Sequence, residues 1–390
     1  MQMTETDPLS AAKRLEPLVT ALRSRLDRGR RLPDELVQAI GDAGLFGMWL
    51  PCALGGPERP PRVFMEVIEE LSRQDGSVGW CTAIAAGHGR FAGAMPRHSA
   101  SEIFGSGRTV LAGTLNPVGK AIAVRGGYRV TGRWAYGSVI DHAQWIYGSC
   151  VIHDEDGSCR SCEGAPELRL CLFPHAAAEV IDTWHVSGLR GTGSHDFAVT
   201  DLFVPEDNTV PLQAFTPVPT QPGPIYAVPM SPIFSSILAV ILLGIARSAI
   251  EALVALAAGK TPMGSPAMLR ERPLIQADVA RAEALVRAGR ALLFDEVEAM
   301  WQDVLAGRTV TLRRRALVRL AACESGRYAI QAVDLVHGAG GGTSIREDNR
   351  IERCWRDAHA AAQHFSVSEH GNLEPVGRVL LGLEPGTVRF

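Results

Sequence analysis

The sequence predicts an α+β protein in three consecutive parts, and three features of the chain carry that reading. Up to about residue 100, apolar side chains recur at intervals of three and four, the helical period. From 109 to 211 the chain breaks into short, alternating segments punctuated by glycine, the pattern of strands and tight turns. After a proline-rich connector at 211–232 the helical period returns and lasts to the end. The expected boundaries are an N-terminal α-helical domain at 1–108, a middle β domain at 109–211 and a C-terminal helical bundle domain at 212–390.

In the first part, 15–26 (LEPLVTALRSRL) and 34–43 (DELVQAIGDA) have the spacing of amphipathic helices, with Pro33 and Asp34 as a start and Gly44 as a stop. A turn-rich loop follows, then helical stretches at 62–72 (RVFMEVIEELS) and 77–87 (SVGWCTAIAAG). In the middle part the strand candidates are TVLAGTL, AIAVRGGYRVTGRWAYGS, AQWIYGSCVI, LRLCLFP and FAVTDLFVP. The Gly-Gly pair at 126–127 predicts a type I′ hairpin turn, whose two central residues need positive φ. In the last part the helices expected are 233–258, 273–305, 310–336 and 351–370, with the antiparallel order of a bundle.

Composition narrows the function. At 390 residues, with 46% hydrophobic and 21% charged residues, the chain has the make-up of a soluble globular protein. A net charge of -3 offers no basic surplus for nucleic acid. The polar opening MQMTETDPLSAAKRLEP lacks an apolar signal core, so a cytoplasmic location is expected. The apolar run 233–246 is shorter than a membrane span and reads as a buried core helix. Cys150, Cys159, Cys162 and Cys171 contain one CxxC, but not the two close ligand pairs of a structural zinc site, so reduced thiols and no metal are expected. AAGKT at 257–261 has Val254 where a phosphate loop needs glycine, and HGAGGGTS at 337–344 is either a phosphate-facing loop or a plain turn between helices.

The stretch 351–370 (IERCWRDAHAAAQHFSVSEH) is the most suggestive. On a helix, Trp355, Ala358, Ala362 and Phe365 share an apolar stripe, and His364 falls on its edge beside the small Ala360, Ala361 and Ala362. Space next to an imidazole suits a bound substrate, although a lone helical histidine is more often a packing residue.

Four motifs carry a family resemblance: WAYGSVIDHAQW at 134–145, DTWHVSGLRGTGSHDFAVTDLFVPE at 182–206, RPLIQADVARAEALV at 272–286 and RIERCWRDAHA at 350–360. Together with the order of the three parts, they resemble the acyl-CoA dehydrogenase fold. That resemblance implies a helical domain, a middle β-barrel and a C-terminal four-helix bundle. Within the fold, SVGWCTAIAAGH at 77–88 is similar to the two-component flavin-dependent monooxygenases. Those enzymes take reduced flavin from a separate NAD(P)H-dependent reductase and, through a flavin C4a-hydroperoxide formed with O2, hydroxylate aromatic molecules of phenol or indole type.

What the resemblance implies for single residues is specific. Trp80 would lie near flavin or substrate, and His88 would face the substrate. Tyr136 and Ser138 would meet the N5 edge of the flavin, where Ser138 donates a hydrogen bond and Asn116 helps. In relatives a glycine follows that serine; here Val139 does. Thr192 and Ser194 are further flavin contacts. Gly340 and Gly341, in the glycine-rich loop, would receive the adenylate half of FAD from a neighbouring subunit, which favours FAD over FMN and implies a homotetramer. A dehydrogenase would carry its catalytic carboxylate near 364–366 or near Phe234, and neither place has one. His364 stands at the first and would act as general base on the substrate. The competing implications are a dehydrogenase with a displaced base, an N-hydroxylase of amino sugars and a non-catalytic relative acting through partner binding.

Overall fold

A computed structural model describes residues 7–390 apart from Glu163, Ala214, Val388 and Arg389. The first six residues, part of the polar opening, lie outside the described residues. The N-terminal part holds six helices: α1 (Pro8–Arg14), α2 (Glu16–Gly29), α3 (Asp34–Asp42), α4 (Pro61–Gln74), α5 (Gly76–His88) and α6 (Arg97–Phe104). Asp75 ends α4 in an extended conformation and caps α5 by accepting the Ser77 N–H at 3.0 Å. Helix α5 is buried along nearly its whole length, because glycine, alanine, serine and threonine let α4 come close to it.

The middle part comprises β1 (Leu111–Val124), β2 (Gly127–Gly137), β3 (Trp145–His153), β4 (Ser161–Cys162), β5 (Ala165–Pro166), β6 (Leu168–Pro174), β7 (Glu179–Ile181), β8 (His195–Pro205), β9 (Thr209–Gln213) and β10 (Thr216–Pro217). Eight of these form one sheet in the order β10-β9-β6-β3-β1-β2-β8-β7, with β4 and β5 a separate hairpin. The last two strands run past the boundary expected at 211. The turn between β1 and β2 departs from the type I′ reading. Val124 pairs with Gly127, so the central residues are Arg125 and Gly126, and only Gly126 has positive φ, 83°. Gly127 is instead a close-approach position, where a Cβ would sit 2.2 Å from the Val204 carbonyl oxygen.

The C-terminal part opens with the short α7 (Pro224–Ala227) and continues with α8 (Met230–Gly259), α9 (Pro273–Leu305), α10 (Leu312–Gly340), α11 (Arg350–Ala361) and α12 (Leu373–Leu380). Helix α8 is long and apolar enough to cross a membrane, but 78% of its most apolar window is buried inside the protein. It is the core helix expected, packed among α4, α9, α10 and α11. The helix expected at 351–370 stops at Ala361, which places His364 in the turn beyond it. Phe365, expected on the apolar stripe, is 53% exposed, and the buried face of α11 is made by Ile351, Cys354, Ala358 and Ala361 with Arg353, Arg356 and Asp357.

The four cysteines of the middle part do not converge. Cys150 and Cys171 are buried in neighbouring strands, and Cys159 and Cys162 are exposed near the hairpin. No group of three potential metal ligands occurs among the described residues.

Candidate active site

A chain of hydroxyl groups lies where α5, the end of β2 and the loop before β8 meet. Trp80 Nε1 donates to Ser138 Oγ at 3.1 Å; Ser138 Oγ lies 2.8 Å from Ser194 Oγ, and Ser194 Oγ lies 2.7 Å from Thr192 Oγ1. Thr192 Oγ1 donates to the Leu189 carbonyl at 2.9 Å. The direction of every bond follows. A hydroxyl has one hydrogen, and Thr192 uses its own on Leu189, so Ser194 must donate to Thr192 and Ser138 to Ser194. Among the described residues Trp80 supplies the only N–H onto the Ser138 hydroxyl, whose own hydrogen is already committed. The Leu189 carbonyl also accepts the Trp184 indole N–H at 3.1 Å, so the chain runs between two indoles.

Backbone strain gathers around the same group. Tyr136, Val139 and Leu189 have φ of 68°, 61° and 53°, a left-handed conformation that L residues with large side chains rarely hold. Val139 takes up the conformation that a glycine would adopt there, and its N–H donates to the Thr192 carbonyl at 2.8 Å. The departure from glycine therefore leaves Ser138 aimed at Ser194. The Tyr136 ring is 69% exposed and meets Trp184 edge to face at 6.3 Å.

Helix α11 and α5 hold this group in place through buried charges. Asp357 accepts the Leu189 N–H at 2.6 Å, and Arg356 donates to the Ser187 carbonyl at 2.7 Å. Between them Gly188 lies so close that a Cβ would be 2.1 Å from the Arg356 carbonyl oxygen. Arg353 reaches Asp75, the cap of α5, at 2.9 Å. Burial pushes the Asp357 carboxyl up to about 6 against the pull of Arg353.

His364 completes the site. Its ring packs edge-on to Trp80 at 5.9 Å and to Phe234 at 5.7 Å, and stacks with Phe365 at 4.8 Å. Burial lowers it to about 4, so it is neutral at pH 7. Its Nδ1 accepts the Ser366 N–H at 3.2 Å, which puts the ring hydrogen on Nε2. Among the described residues no carboxylate pairs with it.

The structure thus brings Trp80, Ser138, Thr192, Ser194 and His364 together, with Tyr136 at the rim. His88 lies apart. Its Nδ1 is 2.7 Å from the Leu111 carbonyl and its Nε2 3.0 Å from the Tyr147 hydroxyl, and burial lowers it to about 4. Both nitrogens are committed, so His88 serves as a wall in place of the catalytic role expected. Asn116 is exposed on a bulge of β1 and has no bond to Ser138 among the described residues. Gly340 and Gly341 end α10, where Lys260 Nζ donates to the Gly340 carbonyl at 2.7 Å and to Thr343 Oγ1 at 2.6 Å. The AAGKT lysine therefore fastens the glycine loop, and no contact among the described residues joins that loop to Ser138.

Sequence reasoning missed Arg90 and Tyr147. Arg90 follows α5 and is buried, with Nη2 donating to the Val228 carbonyl at 2.9 Å. It is the one Asp, Glu, Lys or Arg in the run 76–96, a signal that was present in the sequence. It lines a small cavity with Trp49, Ala83, Ile84, Gly87, His88, Met230, Ile233, Phe234 and Ile237. Phe234 connects that cavity to His364.

The comparisons agree with this geometry. Residues 10–100 match the acyl-CoA dehydrogenase N-terminal domain and residues 236–369 the acyl-CoA dehydrogenase C-terminal domain. The chain is 32% identical to an indole-3-acetate monooxygenase of Pseudomonas putida, across 97% of this chain and 95% of that one. It is 30% identical to the oxygenase component of an FADH(2)-dependent resorcinol hydroxylase of Rhizobium sp. (strain MTP-10005), across 92% and 90%. A solved structure of XiaF from Streptomyces sp., in complex with FADH2 and glycerol, superposes with a TM-score of 0.91 at 26% identity, covering 98% of this chain and 97% of that one. The chain therefore belongs to the flavin-dependent monooxygenases built on the acyl-CoA dehydrogenase fold.

Proposed function

We propose that this chain is the oxygenase half of a two-component system: it takes reduced flavin, FADH2 ahead of FMNH2, from a separate NAD(P)H-dependent reductase and uses O2 to hydroxylate a phenol- or indole-type molecule. The observation that carries this reading is the imidazole of His364, placed against Trp80 and Phe234 with no carboxylate paired to it among the described residues, while Trp80 on its other contact bonds a serine with no hydrogen to spare. Relatives described as an oxygenase component and an oxygenase subunit support a partner reductase. Those described by indole-3-acetate and resorcinol support an aromatic substrate.

The residues fit a flavin. Tyr136 and Trp184 present an open aromatic face, and the buried hydroxyl chain reaches that face at Ser138. Bound reduced flavin supplies the activation of O2 for transfer to an electron-rich ring. Ser138 retains a lone pair but no free hydrogen, so it can accept from the N5–H of a reduced flavin and has nothing to give the N5 of an oxidised one. This reverses the donor role expected of it. The apolar surround of Trp80, Phe234 and His364 keeps water from the reacting face.

His364 is likewise changed in role. As a neutral ring with its hydrogen on Nε2, it donates to the substrate's ring oxygen or its anion; taking a proton there would require the ring to release Ser366. We read a homotetramer, in the cytoplasm, with FAD shared across an interface. A groove between α9 and α10, with an apolar floor that includes Leu285, Ala288 and Leu335 and with Asp278, Arg281 and Asp334 also lining it, supports contact between copies.

The test supplies reduced FAD from any flavin reductase and screens aromatic compounds for a mass gain of one oxygen. His364→Ala is expected to keep consuming O2 while most of it appears as hydrogen peroxide. Unchanged hydroxylation by that variant removes the role of His364; an intact protein that yields no oxygenated product with either reduced FAD or reduced FMN removes the function.

A further inference from the structure

Arg90 is 3% exposed, and its Nη1 has no hydrogen-bonding partner among the described residues. Among the described residues its one hydrogen bond runs from Nη2 to the Val228 carbonyl, and the one titratable group acting on it is the phenol of Tyr226. Burial pulls the guanidinium down to about 10, which leaves it charged at neutral pH. An isolated buried charge costs several kcal/mol unless something pairs with it, and no Asp or Glu lines the cavity beside it. The rest of that cavity is apolar or aromatic apart from His88, whose nitrogens are both occupied. A charge kept unpaired at the edge of an apolar cavity is offset by an anion that binds there.

We propose that Arg90 is the anion anchor of the substrate pocket, and that the substrate is an aryl acid whose carboxylate pairs with Arg90 while its aromatic ring lies toward Phe234 and His364. This rests on the monooxygenase reading and names the substrate class for it. A guanidinium and a carboxylate match in geometry and charge, and the bond between them is stronger than one between neutral groups. The cavity as it stands holds about 10 Å³, roughly one water. Entry of an aryl acid therefore moves the side chains of Met230 and Phe234, which sit in the first two turns of α8 where the wall is formed by flexible or half-buried groups.

The test is anaerobic calorimetric titration of the protein, saturated with reduced FAD, with indole-3-acetate and with its uncharged amide. The acid is expected to bind on the order of 10- to 100-fold more tightly than the amide. Arg90→Gln should remove that preference and Arg90→Lys should keep part of it. The wild-type comparison stands even if Arg90→Gln does not fold. Equal binding of acid and amide, binding of neither, or a preference that survives in folded Arg90→Gln overturns the proposal. Admitting O2 afterwards separates the two readings: a transient flavin absorbance that outlasts the oxidation of free reduced FAD, without acid preference, sinks only the anchor, whereas oxidation with the course of free reduced FAD and no oxygenated product sinks the monooxygenase reading beneath it.

Discussion

Ser138 is governed by neighbours that cannot change roles. Trp80 can only donate and the Leu189 carbonyl can only accept, so three hydroxyls between them are held in one orientation. Trp80→Phe keeps an aromatic ring beside His364 but removes the donor. Ser138 then gains a second free lone pair and loses its anchor, and the fraction of O2 released as peroxide should rise several-fold with little change in melting temperature. Coupling measured as product formed per O2 consumed checks this, and unchanged coupling would separate Trp80 from the function of Ser138. His364 offers a sharper comparison. If its Nε2–H is what the substrate meets, His364→Gln, which retains an N–H donor, should hydroxylate about tenfold better than His364→Ala, one hydrogen bond's worth. Equal loss in both variants would favour a base. Part of this was legible in the sequence, since Ser138, Thr192, Ser194 and His364 stand in recognisable motifs. The direction of their hydrogen bonds was not, because it depends on the Leu189 carbonyl and the Ser366 N–H, groups that every residue possesses.

Helix α11 shows how an element can be recognised while its end is misjudged. Its periodicity continues past Ala361, but the Ser366 N–H is captured by His364 Nδ1, and the Asn372 side chain donates to the Phe365 and Ser368 carbonyls. Side chains thus take over backbone groups that another helical turn would have used, and the arrival of Asn372 from eleven residues beyond the helix end leaves no local signal. What α11 does for the site is mechanical: Asp357 and Arg356 hold the strained loop that carries Leu189, Thr192 and Ser194. Burial raises the Asp357 carboxyl to about 6, so its preference for the ionised form at pH 7 is small. Asp357→Asn should therefore cost roughly 1–2 kcal/mol, whereas Asp357→Ala, which orphans the Leu189 N–H, should cost about 3 kcal/mol or more. Denaturant unfolding of the two variants measures the difference, and equal losses would show that charge, not the bond to Leu189, is what holds the loop.

At the scale of the whole molecule, the order of helices, sheet and helices was readable from period and punctuation alone. The placement of Arg90 was not, since its burial comes from α8 and the 224–228 segment packing over it from far along the chain. The same deep burial makes stability depend on pH. His88 and His364 stay neutral in the fold down to about pH 4, whereas in the unfolded chain they take up protons near 6.5. Between those values the unfolded chain binds more protons, so stability falls as pH falls, by about 3 kcal/mol per ring. Asp357 works the other way, because its folded value of about 6 exceeds the ordinary 3.8, and it offsets about 3 kcal/mol over the same window. A net loss on the order of 3 kcal/mol is expected from pH 7 to pH 4, and His364→Gln should remove most of it. Unfolding midpoints at the two pH values provide the check; a flat profile would mean that the two rings are reached by water in solution.

One consequence of the indole-to-carbonyl chain concerns acidity. None of its members titrates anywhere near neutrality, and neither terminus can reverse, so the lock has no proton-driven key. Whatever discrimination Ser138 exerts between the two redox forms of a flavin should hold unchanged across the physiological range, while the turnover around it, tied to the substrate's own ionisation, remains free to vary.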